Sequence, residues 1–497
     1  MSRSRRQSRV ATASRTAAPD PVVLAPAPVV PDSTVRPALI ARGSWSLPAL
    51  SERATVAILI LTATLLRLAI APWGRYWEDS QVLAFRAERL ARLPMNELYL
   101  TNRGVISHLP GDLWFLWYVS NFYRSLAPNG DFYGDTFLYL TKLVPIMADA
   151  GAALALYLLA RELAGPKAGL MAAALYAFNP GPIVIAAIWD QWDSLSTCFA
   201  LFALWLFLRR RYELAAAALT YAALVKPQFA LFGLLFAIVY ARRLILPPLL
   251  ERLRGDTVQT PLRALAVPFA RAGAAILAAW VTAEAVLVPF NVSLPPLSAQ
   301  FDLRDRLDYV FRVHDETTLN AFNFWATPWA GNAVNDHELS FAGLSARTWG
   351  QFLFGCALLV ILALWWRRGT DRALVWAALS MTFASFMLPT RIHERYLLPT
   401  VALAILIAAI RPRLLWFCAA LTFTFSANLI AVYVMAHDQR GAPFFSRHDP
   451  WMTLLAFANI ALFVWILVRG LREVESEAPA LSRRAMLRRG QLVIARR

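Results

Sequence analysis

Residues 54–71 read ATVAILILTATLLRLAIA, a stretch of eighteen residues whose only charge is Arg67. That is close to the roughly 20 apolar residues a helix needs to cross about 30 Å of hydrocarbon. Eleven further apolar runs follow along the chain, the last at 451–469. The expected fold is therefore an all-α polytopic membrane protein of about 12 transmembrane helices. Composition agrees, since 58% of the 497 residues are hydrophobic and 16% charged, a balance foreign to soluble domains. Several runs are shorter than a full span, so these helices are expected to be broken, or sheltered by neighbours beside an aqueous cavity.

The net charge of +17 raises the possibility of nucleic acid, but its placement points elsewhere. With the N-terminus inside, Arg and Lys collect in the cytoplasmic tails and turns, while acidic residues predominate in the loops outside, as the positive-inside rule requires. No helix-turn-helix, stacking platform or zinc spacing accompanies the basic residues, so no nucleic-acid partner is expected. Cys198, Cys356 and Cys418 each lie in an apolar run, and no two histidines share a helix at ligand spacing, which leaves no disulfide framework or structural metal cluster.

The chain divides into a basic, Pro- and Ala-rich tail (1–53) expected to be disordered, a transmembrane domain (54–470), and a basic tail (471–497). Within the domain, two long loops at 72–136 and 290–347 fall outside the membrane, where loops of that length usually carry function. Gly111–Leu126 is apolar, yet counting it as a span would break the charge rule. Its Trp and Tyr residues suit a helix lying along the headgroups instead.

Polar motifs interrupt this apolar background. Trp77-Glu78-Asp79-Ser80 opens the first outer loop. A carboxylate there can take a proton from an attacking hydroxyl, although an Asp at such a place is equally an ordinary helix cap. Asp190-Gln191-Trp192-Asp193-Ser194 fills a turn between two spans, with groups able to bind sugar hydroxyls or, alternatively, to cap the next helix. Lys226, one of only three lysines, stands before Pro227 at a helix break, where a charge needs a polar cavity or must snorkel. Arg391-Ile392-His393-Glu394-Arg395-Tyr396 sets cationic groups on the outer face, against the charge bias. Arg forks match phosphate oxygens, and a leaving group that gains negative charge needs fixed donors; Arg–Glu pairing within a turn is the competing account. Asn320-Ala321-Phe322-Asn323, after His314-Asp315-Glu316, and His108-Leu109-Pro110-Gly111-Asp112 complete the set.

The order of these motifs resembles the GT-C superfamily of integral-membrane glycosyltransferases, over most of residues 55–470, and in particular its bacterial mannosyltransferase-like members. Departures are Pro110-Gly111 where the family pattern has a Pro-Pro pair, and Arg395 where the eukaryotic dolichyl-phosphate-glucose-dependent glucosyltransferases, which several of the motifs also resemble, have Lys. The resemblance implies inverting transfer of a hexose, mannose by preference, from a polyprenyl-phosphate donor to a glycan, lipid or protein acceptor. In that frame Asp79 is the general base. His393 and Arg395, with Arg391 and Lys226, hold the lipid phosphate, and Glu78, His108, Asp190, Gln191, Asp193, Asn320 and Asn323 contact substrate. It further implies a plasma-membrane protein with both termini cytoplasmic and the site outside. No cofactor is implied, the lipid-linked sugar being a substrate, and a divalent metal is left open. A lipid-linked-sugar flippase or secondary transporter is the alternative, for which a midplane site and inverted repeats would be expected.

Overall fold

Ser51 starts the first helix, α1 (Glu52–Ile70), by accepting a hydrogen bond from the Ala54 amide, while Glu52 in its first turn and Arg67 in its last complement the helix dipole. The computed structural model describes residues 51–102, 106–253, 262–439, 444–470 and 472. The two tails expected at 1–53 and 471–497 lie outside these, apart from residues 51–53 and 472. Pro72 ends α1, and the chain passes through Gly74 into α2 (Trp77–Arg92). Next come α3 (Pro110–Leu126), α4 (Asp135–Ala164), α5 (Pro166–Ala177), α6 (Asp193–Leu208) and α7 (Tyr212–Val225). The fold is all-α: among the described residues strands are confined to two two-residue pairs, Val292–Ser293 with Phe301–Asp302 and Ser340–Phe341 with Leu344–Ser345, both in the second long loop.

Each of the twelve apolar runs coincides with a helix, but the helices fall into two classes. Among the described residues seven are long and apolar enough to cross a membrane alone, and an eighth span results if α5 is joined to Pro180–Trp189 across a 46° bend. Four others are short: α6 has 16 residues, α7 has 14, Asp371–Met387 has 17 and Leu398–Ile410 has 13. At 1.5 Å per residue, 13 residues cover about 20 Å, well short of the hydrocarbon. Their packing explains how this is tolerated. Twelve of the 13 residues of Leu398–Ile410 are buried, whereas only 17% of the apolar window of Ala346–Arg368 is. The short helices Asp371–Met387 and Leu398–Ile410 thus lie in the interior, where protein rather than lipid meets their ends.

Two charged groups inside spans, Arg67 and Asp149, are paired. Arg67 donates to Asp149 at 2.9 Å and to the Ala177 carbonyl at 2.6 Å, and Tyr176 donates to the other Asp149 oxygen at 2.8 Å. Such a neutral, hydrogen-bonded group fastens α1, α4 and α5 together where an isolated charge would be costly. The segment predicted to lie in the interface is α3, which buries Asp112, Leu113 and Leu116 and exposes Tyr118, Phe122 and Leu126.

Candidate functional site

The ends of the short helices meet in one cavity of about 430 Å³, whose walls include Asp79, His108, Trp189, Lys226, His393 and Arg395. Eight stretches of chain contribute: α2, the start of α3, the turn after Pro180–Trp189, the α7 terminus, the second long loop, the segment before Leu398, helix Leu415–Gln439 through Val432, and Phe444.

Asp79 is positioned by its neighbours rather than spent as a cap. α2 begins after Tyr76 with no side-chain cap, which leaves the Asp79 carboxylate free to accept the Trp189 indole N–H at 2.7 Å. Tyr76 stacks on the same indole, with centroids 4.4 Å apart and an interplanar angle of 12°. Trp189 reaches this point because Val184–Trp189 is a widened π turn, a feature that recurs at functional sites. Asp190 closes the turn at φ 67°, a left-handed conformation. Thr141 donates to its carboxylate at 2.5 Å and Trp192 at 3.3 Å. Lys142 fastens the base of this structure by donating to the carbonyls of Ala71 (2.7 Å), Gly74 and Ile188 (3.4 Å).

The cationic wall is built differently. Pro227 forces the preceding residue into extended backbone, so α7 ends at Lys226, with φ −138° and ψ 112°. Its Nζ lies 3.4 Å from Asp193 Oδ1, and Arg395 Nε lies 3.6 Å from Asp193 Oδ2. Asp193 is therefore a buried carboxylate shared by two cations, not a helix cap; α6 has no side-chain cap. Glu394 accepts from Arg395 Nη1 at 3.0 Å. Among the described residues both Asp193 oxygens and Arg395 Nε are buried without a hydrogen-bond partner, so the ion pairs leave directional capacity unused.

Electrostatics separates the roles further. Burial works against charge on Arg395, but Asp79, Glu394 and Asp193 outweigh it and raise its pKa above the ordinary range. Burial likewise opposes the Lys226 ammonium, and Asp193 with Tyr396 more than offsets this. His393 goes the other way: burial, then Arg395 and His314, hold its pKa well below the ordinary value, so its imidazole is neutral. The expectation of a cationic group at that position is thereby changed to a neutral N–H donor. Its ring packs edge-on to His314 at 5.0 Å, and its backbone bridges to Leu319 and Asn320. Glu78, on the acidic wall, titrates above its usual range through burial and the neighbouring Asp79 charge.

Of the predicted site residues, Asp79, Glu78, His108, Asp190, Gln191, Lys226, Asn320, His393 and Arg395 line the cavity, and Asp193 stands directly behind it. Two do not join them. Arg391 turns away and is bidentate on Asp336, at 2.8 Å to each oxygen. Asn323 is fully buried, donating to the Phe386 carbonyl at 3.3 Å and accepting from the Trp325 amide at 3.0 Å. Conversely, Arg86 and Asp112 line the cavity although neither was singled out as a site residue. Helical spacing carried the signal for Arg86, which follows Asp79 by seven residues and so shares its face. Among the described residues no group of three or more His, Cys, Asp or Glu is disposed to hold a metal ion.

No family model matches the sequence, and no curated protein matches it. Among solved structures, the chain is similar to the oligosaccharyltransferase of Archaeoglobus fulgidus in its apo form. That match has 13% identity over 84% of this chain and 55% of that one, with a TM-score of 0.43. It is also similar to the oligosaccharyltransferase AglB of Archaeoglobus fulgidus solved with an inhibitory peptide and a dolichol-phosphate, at 11% identity over 85% and 56% of the two chains and a TM-score of 0.42. The chain spans little more than half the length of these neighbours.

Proposed function

We propose that this chain is a GT-C-type glycosyltransferase that moves a hexose, mannose by the resemblance of its motifs, from a polyprenyl-phosphate donor to an acceptor hydroxyl outside the plasma membrane. The observation that carries the reading is that Asp79 and Arg395, more than 300 residues apart, line one cavity, which brings a carboxylate together with the cations Arg395 and Lys226. In the reaction, Asp79 takes the proton of the acceptor hydroxyl as its oxygen bonds to the anomeric carbon from the face opposite the phosphate. The bond from that carbon to the phosphate oxygen breaks, and the electron pair departs with the lipid phosphate. Arg395 and Lys226 stabilise the resulting anion by charge and the neutral His393 by an N–H, all in a buried setting where such donors count for more than in water.

The direction of the positive-inside bias supports an extracytoplasmic site with both termini cytoplasmic. A lipid donor fits the same picture, its chain remaining in hydrocarbon while its phosphate rests near headgroup level. The test is transfer from radiolabelled decaprenyl-phosphate-mannose by the purified full chain in nanodiscs. Asp79→Asn should lower turnover by about 10²–10⁴-fold, the usual contribution of a positioned base. Unchanged turnover would remove Asp79 from that role. Wild-type inactivity across several donors, with counterflow of a lipid-linked sugar into liposomes, would favour transport instead.

A further inference from the structure

The cavity lining includes a second polar group, carried by α2 and the start of α3, within electrostatic reach of Lys226. On α2, two turns beyond Asp79, Arg86 is 8% exposed and its Nε is buried without a hydrogen-bond partner. In the first turn of α3, Asp112 is 7% exposed; its Oδ2 pairs with His108 Nδ1, and its Oδ1 is buried without a partner. All three side chains line the cavity. Burial opposes the Asp112 carboxylate, but His108, Arg86 and Lys226 outweigh it and hold its pKa below the usual range. Burial, followed by the Arg86 charge, lowers the pKa of His108. Asp112 is thus an anion and His108 a neutral imidazole, whose Nδ1–H donates to Asp112 and whose Nε2 remains an acceptor.

Among the described residues this leaves Arg86 Nε and Asp112 Oδ1 buried without partners, beside the half-buried acceptor His108 Nε2, on the lining of one cavity. Leaving such groups unmade is expensive, so the chemistry of the ligand that satisfies them is constrained. A phosphate only accepts: it suits Arg86 but is repelled by the Asp112 carboxylate. An ammonium only donates, which suits Asp112 but is repelled by Arg86. A hydroxyl donates and accepts at once, and neighbouring ring hydroxyls present both functions at the spacing of adjacent side chains. Leu109, Leu113 and Val82, on the same walls, offer apolar contact to the C–H edges of a ring.

We propose that Arg86, Asp112 and His108 form a hydroxyl-binding subsite for the transferred sugar ring, separate from the phosphate-binding end at Lys226 and Arg395. The inference rests on the glycosyltransferase reading and deepens it, because it makes these residues the determinants of which hexose is accepted. A site built to bond a hydroxyl discriminates strongly against a ligand that lacks it, since its own buried groups are then left unpaired.

The experiment measures binding of two probes to the full chain in nanodiscs, decaprenyl phosphate and decaprenyl-phosphate-mannose, for the wild type, Asp112→Asn, Arg86→Met and Arg395→Met. The wild type should bind the sugar-bearing lipid more tightly than the bare phosphate. Asp112→Asn and Arg86→Met should each weaken the sugar-bearing lipid by about tenfold or more and leave decaprenyl phosphate within about twofold, whereas Arg395→Met should weaken both. Equal weakening of both lipids by Asp112→Asn and Arg86→Met would make these residues part of the phosphate site and overturn the proposal, as would a wild type indifferent to the sugar. The comparison of two lipids on wild-type protein needs no variant, so a misfolded variant does not remove the test. A wild type that binds neither lipid defeats the glycosyltransferase reading itself, a different outcome from binding both without discrimination.

Discussion

Trp189 Nε1 donates to Asp79 Oδ2 at 2.7 Å across 110 residues of chain. Because Tyr76 stacks on that indole, the start of α2 and the end of the π turn are locked together, and the carboxylate is aimed before any substrate arrives. Pre-aimed groups accelerate reactions by removing orientational freedom. Trp189→Phe keeps a stacking ring and deletes the donor. The expected result is a loss of about tenfold in kcat with KM little changed, because the bond orients the base rather than the donor lipid. A rise in KM with unchanged kcat would assign Trp189 to substrate binding instead.

Asp193 is shared between Lys226 and Arg395 with its side chain 1% exposed. Removing it leaves two buried cations with less compensation, and breaking a buried pair in this manner typically costs about 3–5 kcal/mol. Asp193→Ala should therefore destabilise the protein by an amount of that order, read from chemical denaturation in detergent. Asp193→Ala with Lys226→Met should recover much of the loss, since only Arg395 then remains, with Glu394 as partner. Equal losses in the single and double variants would show that Asp193 stabilises through packing and not through charge.

Burial pushes the Asp190 carboxyl up from 3.8 to about 7, against the hydrogen bond from Thr141 and the charge of Lys142. A raised folded-state pKa means that the native form holds a proton the unfolded chain has already lost. Stability therefore falls as pH rises from about 4 to about 7, and is greater at the acid end of that window. The check is thermal midpoint against pH for the wild type and Asp190→Asn. The wild type should lose more stability than the variant between pH 5 and about 8. Parallel profiles would mean that Asp190 does not titrate in this interval.

Much of this arrangement is legible in the sequence because polar residues in an apolar background have few explanations. Asp190-Gln191-Trp192-Asp193, Lys226 before a proline, and His393-Glu394-Arg395 stand out for that reason, and all come to one place. The short runs also announce short helices, but not that these occupy the interior; that depends on which long helices wall them in. Capping and catalytic geometry for Asp79 were equally compatible with the local sequence. Asp79 makes no cap and instead accepts the Trp189 indole N–H, whose approach depends on a π turn that no periodicity signals. Arg86 was hidden for a related reason: an Arg on an amphipathic helix usually faces water, and only the packing of α3 against α2 buries it.

Arg391 and Lys226 bear the same charge and invite the same reading from sequence, yet their surroundings separate them. Arg391 is held at φ 67°, its amide donates to the Glu316 carbonyl at 3.0 Å, and its guanidinium is divided between Asp336 and the Phe311 carbonyl at 2.6 Å. With its donors occupied by the second long loop, it has little left to offer a phosphate. Among the described residues the partners of Lys226 are Asp193 at 3.4 Å and the Tyr396 ring at 5.2 Å, so its ammonium retains donors for the cavity it lines. Lys226→Gln should consequently raise KM for the lipid-linked donor by about tenfold, the scale of one charge-assisted hydrogen bond. It should also lower the thermal midpoint, because the buried Asp193 then keeps Arg395 alone. Arg391→Gln should lower the midpoint too and increase protease cleavage within 313–345, while the surviving protein keeps the wild-type KM. Donor KM values that rise equally in the two variants would place Arg391 in the phosphate site after all.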